Sequence, residues 1–207
     1  MYLYFTYRHN KSFGNVLLKA FLAGASGVVV LVLAEFLSSI LGLNELRSLK
    51  RLLFFSFITI AGSAELGKFI FLRYYIIPKN EVDKPLHGIT FSIMSALGFS
   101  TLALLLFVIN PFGTSSVFPA TLYAFVFVPA NIMFSVIMGF FVGMSKFLKT
   151  RFVFSLTGLL GAAFFHGIFN FCMITQDFKL LSLFSFGSTV IVFILGMKAA
   201  FTEPDQS

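Results

Sequence analysis

Charge is what this sequence has least of. Only 11% of its 207 residues are Asp, Glu, Lys or Arg, against 58% hydrophobic residues and 31 phenylalanines. A soluble domain of this size needs far more charge to cover its surface, so the composition excludes a soluble enzyme or binding module. A lone cysteine, Cys172, excludes an intrachain disulfide framework, and its apolar surroundings suit a small core residue. There is no internal repeat and no low-complexity tract beyond the phenylalanine bias, which leaves no room for a solenoid. The first apolar run is too long for a signal peptide and has no small-residue cleavage site, so no cleaved leader is expected.

What fills the chain instead is a series of apolar stretches. A transmembrane helix needs about 20 mainly apolar residues, and six segments qualify: 16 to 41, 53 to 77, 86 to 109, 118 to 145, 152 to 176 and 180 to 200. The separators "GLNELRSLKR", "PKNEVDKP", "NPFGTSS", "SKFLKTR" and "TQDFK" read as helix ends and turns. The expected fold is all-α, a polytopic membrane bundle of about six transmembrane helices forming a single membrane domain over residues 1 to 207. The last link is short enough to make the final two spans a hairpin.

The basic residues sort by side. A formal charge of +7 would suggest nucleic acid in a soluble protein, but here the cations cluster in short loops, so no nucleic-acid partner is expected. With six spans, Arg8, Lys11, Lys19, Arg73, Lys79, Lys84, Lys146, Lys149, Arg151 and Lys198 share one side, and Arg47, Lys50, Arg51 and Lys179 the other. The richer side is expected to be cytoplasmic and to hold both termini.

A few polar residues remain inside the spans. An ionisable group at mid-bilayer costs roughly 2.5 to 3.5 kcal/mol on the insertion scale, so each needs a partner or a purpose. Glu65 and Lys68 lie three apart on one face of the second span, Asn131 lies in the fourth, and His166 and Asn170 share a face of the fifth. Glu65, Asn131 and His166 fall near the middle of their spans, so packing brings them to one level. Such a cluster reads as a functional site or, in the plainer alternative, as an ion pair plus interhelical hydrogen bonds. Glu35 sits near the outer end of the first span, within reach of interfacial water, and His87 lies at the end of the third, too far along the membrane normal to meet His166.

These residues occur in strings: "AELGK" at 64 to 68, "DKPLHGI" at 83 to 89, "GFSTLAL" at 98 to 104, "FVPAN" at 127 to 131 and "HGIFN" at 166 to 170. In order and spacing they resemble the motifs of the PrsW intramembrane proteases, and more remotely the CPBP family of CAAX prenyl endopeptidases, over a core of residues 60 to 172. That pattern has a paired glutamate where this chain has Ala64 and Glu65, a Glu-Asn where it has Ala103 and Leu104, and a histidine where it has Asn131. Glu65, Lys68, Asp83, Gly98, Phe99, His166 and Asn170 match.

The resemblance implies an integral protein of a bacterial cytoplasmic membrane that cleaves a membrane-embedded or membrane-proximal peptide. Glu65 would serve as general base and His166, Asn170 and Asn131 as oxyanion donors. Zinc is the cofactor to consider, with Glu65 and His166 as candidate ligands, although catalytic zinc wants three protein ligands. The competing expectation is a catalytically inactive family member that keeps the fold as scaffold or regulator of a transmembrane partner. Two further readings stay open: a proton-relaying transporter subunit, and a serine peptidase pairing Ser26 of "GASG" with His166.

Overall fold

A computed structural model describes residues 11–109 and 120–202 of the chain, with side chains from residue 125 onward in the second stretch. Arg8, the "NPFGTSS" link and the last five residues of the "FTEPDQS" tail lie outside the described residues. Six helices among the described residues are long and apolar enough to cross a membrane. They are α1 (Lys11–Ile40), α2 (Leu49–Ile76), α3 (Pro85–Ile109), α4 (Ala120–Ser145), α5 (Arg151–Thr175) and α6 (Phe178–Phe201). The bounds follow the expected spans within a few residues. The largest departures are the starts of α1 and α2, where polar residues extend the helix beyond its apolar stretch. Ser48 caps α2 by accepting from the Arg51 amide.

One feature was not expected. α2 is an α-helix interrupted by two wider π-helical segments, Phe55–Gly62 and Leu72–Ile76. Two local features accompany the first. The Ser63 hydroxyl donates back to the carbonyls of Thr59 and Ile60, and Gly62 has no Cβ to crowd the Phe57 carbonyl. Each wide turn holds more residues than an α-turn and so rotates everything that follows it about the axis. The rotation here leaves Ala64, Glu65, Gly67 and Lys68 buried and turns Leu66 and Ile70 outward.

The packing forms a ring. α1 lies against α3 and α2, α3 against α4, α4 against α5, and α5 against the first half of α2. Phe91, Phe99, Phe134, Phe169, Ala64 and Ala162 fill the centre. α6 packs outside the ring on α4, α5 and α3, and most of its surface is exposed apolar side chain, as a lipid-facing helix requires. The last link is the tight one expected: Gln176 takes a left-handed conformation with φ of 58°, and Asp177 caps α6 by accepting from the Leu180 amide.

Bare backbone lets the ring close tightly at several seams, two of them glycine against glycine. Gly27 of α1 and Gly67 of α2 meet main chain to main chain, as do Gly88 of α3 and Gly143 of α4. The membrane-edge end between α2 and α3 is tied by polar contacts. Lys146 donates to the Lys79 carbonyl at 2.6 Å, and the Ser12 hydroxyl donates to Glu81, holding that carboxyl below the usual glutamate range.

A Cβ at Gly67 would collide with the Gly27 carbonyl, whereas one at Gly187 in α6 meets nothing. Gly67→Ala is therefore expected to destabilise the protein by about 1 to 3 kcal/mol through overpacking, and Gly187→Ala to leave it unchanged. Thermal unfolding in detergent followed by circular dichroism checks both.

Candidate active site

Four helices bring polar side chains to one level of the ring. From α2 come Glu65 and Lys68, from α3 Ser100, from α4 Asn131, and from α5 His166 and Asn170. Glu65 is 0% exposed and Lys68 and His166 1% each, so these ionisable groups have no bulk water to solvate them. Burial at that level is tolerable only when each charge is met by another and by hydrogen bonds.

The contacts form a continuous chain. Lys68 Nζ donates to Glu65 Oε1 at 2.7 Å and to Asn131 Oδ1 at 2.5 Å. The other end of the same amide, Asn131 Nδ2, donates to Ser100 Oγ at 2.8 Å. On the opposite side, His166 Nδ1 lies 2.7 Å from Glu65 Oε1. Aromatic rings fix the two long side chains: Phe134 stacks on the imidazole with centroids 4.9 Å apart and planes 21° apart, and the Phe99 ring centroid lies 5.2 Å from Lys68 Nζ.

Protonation follows from the partners. With Lys68 an ammonium and Glu65 a carboxylate, the pair is neutral and the carboxylate can only accept. His166 Nδ1–H is then the donor to Glu65, and in the neutral imidazole Nε2 keeps its lone pair. Three buried polar atoms of the cluster have no hydrogen-bond partner among the described residues: Glu65 Oε2, His166 Nε2 and Asn170 Nδ2. They are two acceptors and one donor. Groups left in this state in an otherwise satisfied network are where a water molecule or a substrate amide would bind.

The structure thus brings together Glu65, Asn131 and His166 as the sequence suggested, with Lys68 at the join. Asn170 is buried with its amide nitrogen free. Ser100 and Phe134 were not anticipated, and Phe99 was singled out as a motif match without a role at the lysine. The other candidates fall elsewhere. His87 Nδ1 contacts Asp83 Oδ1 at 2.6 Å and the Glu81 carbonyl at 3.0 Å, tying the α2–α3 loop to α3. Ser26 faces outward and donates to the Leu22 carbonyl of its own helix at 3.0 Å, while Gly24 and Gly27 beside it pack against α3 and α2. The "GASG" string is thus a helix-packing surface, and Ser26 is not directed at His166. Glu35 is half-buried and shares none of the cluster's hydrogen bonds.

The sequence matches the family described as "PrsW family intramembrane metalloprotease" over residues 14–197. The chain belongs to this family. Among similar curated proteins, Protease PrsW of Clostridioides difficile (strain 630) is 27% identical over 164 residues, covering 77% of this chain and 68% of the relative. Protease PrsW of Geobacillus kaustophilus (strain HTA426) is 29% identical over 123 residues, covering 59% of this chain and 53% of the relative. No solved structure matches the chain.

The family description raises the question of a metal. Among the described residues no group of three or more His, Cys, Asp and Glu side chains could hold one. The donors at the site are two, Glu65 and His166, and they are bonded to each other through Oε1 and Nδ1. A cation, the Lys68 ammonium, already sits on that same oxygen. This donor set does not fit a catalytic zinc, which takes three protein ligands.

Breaking the pair from one side leaves a buried uncompensated charge. Lys68→Met is expected to cost about 3 to 5 kcal/mol of stability, and combining it with Glu65→Gln to recover more than half of that loss. A double-mutant cycle of thermal unfolding in detergent measures both.

Proposed function

We propose that this protein is an intramembrane peptidase in which Glu65 assists the attack of water on a peptide carbonyl by acting through His166. The observation that carries the reading is the buried Glu65–His166 contact at 2.7 Å with His166 Nε2, Glu65 Oε2 and Asn170 Nδ2 left free around it. A carboxylate on Nδ1–H holds the imidazole in one tautomer and stabilises the imidazolium when it forms, which makes Nε2 a competent base.

The proposed step balances simply. His166 Nε2 takes a proton from water as the oxygen bonds to the carbonyl carbon. The resulting oxyanion accepts from Asn170 Nδ2, whose donor is buried and therefore strong. Collapse breaks the C–N bond, and the imidazolium returns its proton to the leaving amine nitrogen. Asn131 has both ends of its amide engaged, by Lys68 and Ser100, and its role in this scheme is to hold Lys68. No step is routed through a metal. The substrate is a transmembrane or membrane-proximal peptide, because the site lies within the ring of helices.

The test is cleavage of a transmembrane peptide library in proteoliposomes, with products identified by mass spectrometry. Glu65→Gln and His166→Ala are expected to abolish cleavage in proteins that still fold, and Asn170→Ala to lower it by about 10² to 10³. The alternative of an inactive scaffold is favoured by one feature, the Lys68 ammonium that occupies Glu65. It predicts that the wild type cleaves nothing and that Glu65→Gln leaves any partner binding intact.

We place the protein in a bacterial cytoplasmic membrane with both termini inside, as one membrane domain. The basic residues at the α2–α3 and α4–α5 ends support this orientation. In a Cys172→Ala background, Lys179→Cys should react with a membrane-impermeant maleimide on intact spheroplasts, and Lys149→Cys only after lysis. Both positions are exposed.

A further inference from the structure

We infer that the Lys68 ammonium stands in this site in place of a metal ion, as the fixed positive charge that holds the Glu65 carboxylate. The inference concerns the same residues as the proposed cleavage. It rests on their geometry and not on turnover, and it departs from the chemistry that the family description names.

The ammonium is held as a bound cation is held. Its nitrogen contacts an anionic oxygen on α2, Glu65 Oε1 at 2.7 Å, and a neutral oxygen on α4, Asn131 Oδ1 at 2.5 Å. The Phe99 ring of α3 lies 5.2 Å from it. Three helices therefore converge on one nitrogen, as they would on an ion. Asn131 matters here because an amide presents either an acceptor or a donor, and only the acceptor suits an ammonium. Lys68, which can only donate, fixes the choice: it takes Oδ1, and Asn131 Nδ2 is left to donate to Ser100 Oγ at 2.8 Å.

The same contacts oppose a divalent ion. Glu65 Oε1 already receives Lys68 and His166, and any metal on that carboxylate would sit close to an ammonium with no bulk water to screen the repulsion. Asn131 stands where the pattern this chain resembles carries histidine, so the third ligand that zinc chemistry would use is replaced by an oxygen committed to Lys68. The substitution and the lysine contact are two halves of one arrangement.

The experiment measures zinc by mass spectrometry in protein purified in detergent, equilibrated with excess zinc and desalted. Four forms that elute as single symmetric species are compared: wild type, Glu65→Gln, Asn131→His, and Asn131→His combined with Lys68→Met. Wild type is expected to carry no more zinc than Glu65→Gln. The double variant, in which Glu65, His166 and position 131 offer three ligands and no ammonium intervenes, is expected to gain about one zinc per chain over Asn131→His alone.

A wild type carrying one equivalent that Glu65→Gln loses would overturn the inference, and so would equal zinc in Asn131→His and the double variant. The wild-type comparison decides even where the double variant does not fold. Because zinc is counted without any substrate, a protein that cleaves nothing but stays metal-free separates failure of the cleavage reading from failure of this one.

Discussion

The contact on which the rest of the structure depends is the one between Lys68 and Glu65. Two opposite charges at mid-depth in an apolar bundle are each costly alone, and the cost of separating them within that medium is larger than in water because little screens them. The pair therefore fixes more than itself. Its ammonium reaches to α4 through Asn131, its carboxylate to α5 through His166, and Asn131 in turn to α3 through Ser100. Four helices are held in register by one ion pair and the hydrogen bonds that lead out from it. Packing alone would leave that register looser, since lipid tails are as apolar as the side chains in the core.

The backbone had to be shaped to permit this. An unbroken α-helix through residues 55 to 62 would rotate Glu65 and Lys68 away from their present faces; the π-helical segment there sets the face that the following residues present. The Gly27–Gly67 approach then brings α1 within backbone contact one residue from Lys68, sealing that side against lipid. Local backbone geometry, close packing and the buried charge pair are mutually dependent. A change in any one alters the free energy of the other two.

Much of this was legible in the sequence, and the unreadable part has a physical cause. Six apolar stretches gave six spans, because hydrocarbon thickness sets a length that side-chain chemistry cannot disguise. Glu65, Asn131 and His166 stood out because polar groups are rare at that depth. Ser100 did not, since serine is common on helix interfaces in membranes and bonds its own backbone as readily as a neighbour. Phe134 was lost among 31 phenylalanines, and Phe99, though it matched a motif, gave no sign of lying against a lysine. That Lys68 would bond across to Asn131, 63 residues away, as well as to Glu65 three residues before it, depends on helix rotation, which a π-helical segment sets and no periodicity reports.

The departures from the family pattern make sense together once charge is counted. Ala64, where the pattern has a glutamate, is fully buried among apolar side chains, and Ala103 and Leu104 pack partly buried against the same core. A carboxylate at position 64 would be a second anion in the same apolar surroundings, beside a site whose single cation already serves Glu65. With alanine there and asparagine at 131, the cluster holds one ammonium, one carboxylate and a neutral imidazole, and its net charge is zero. In a medium that penalises unbalanced charge, alanine at 64 and asparagine at 131 leave Lys68 and Glu65 to balance each other.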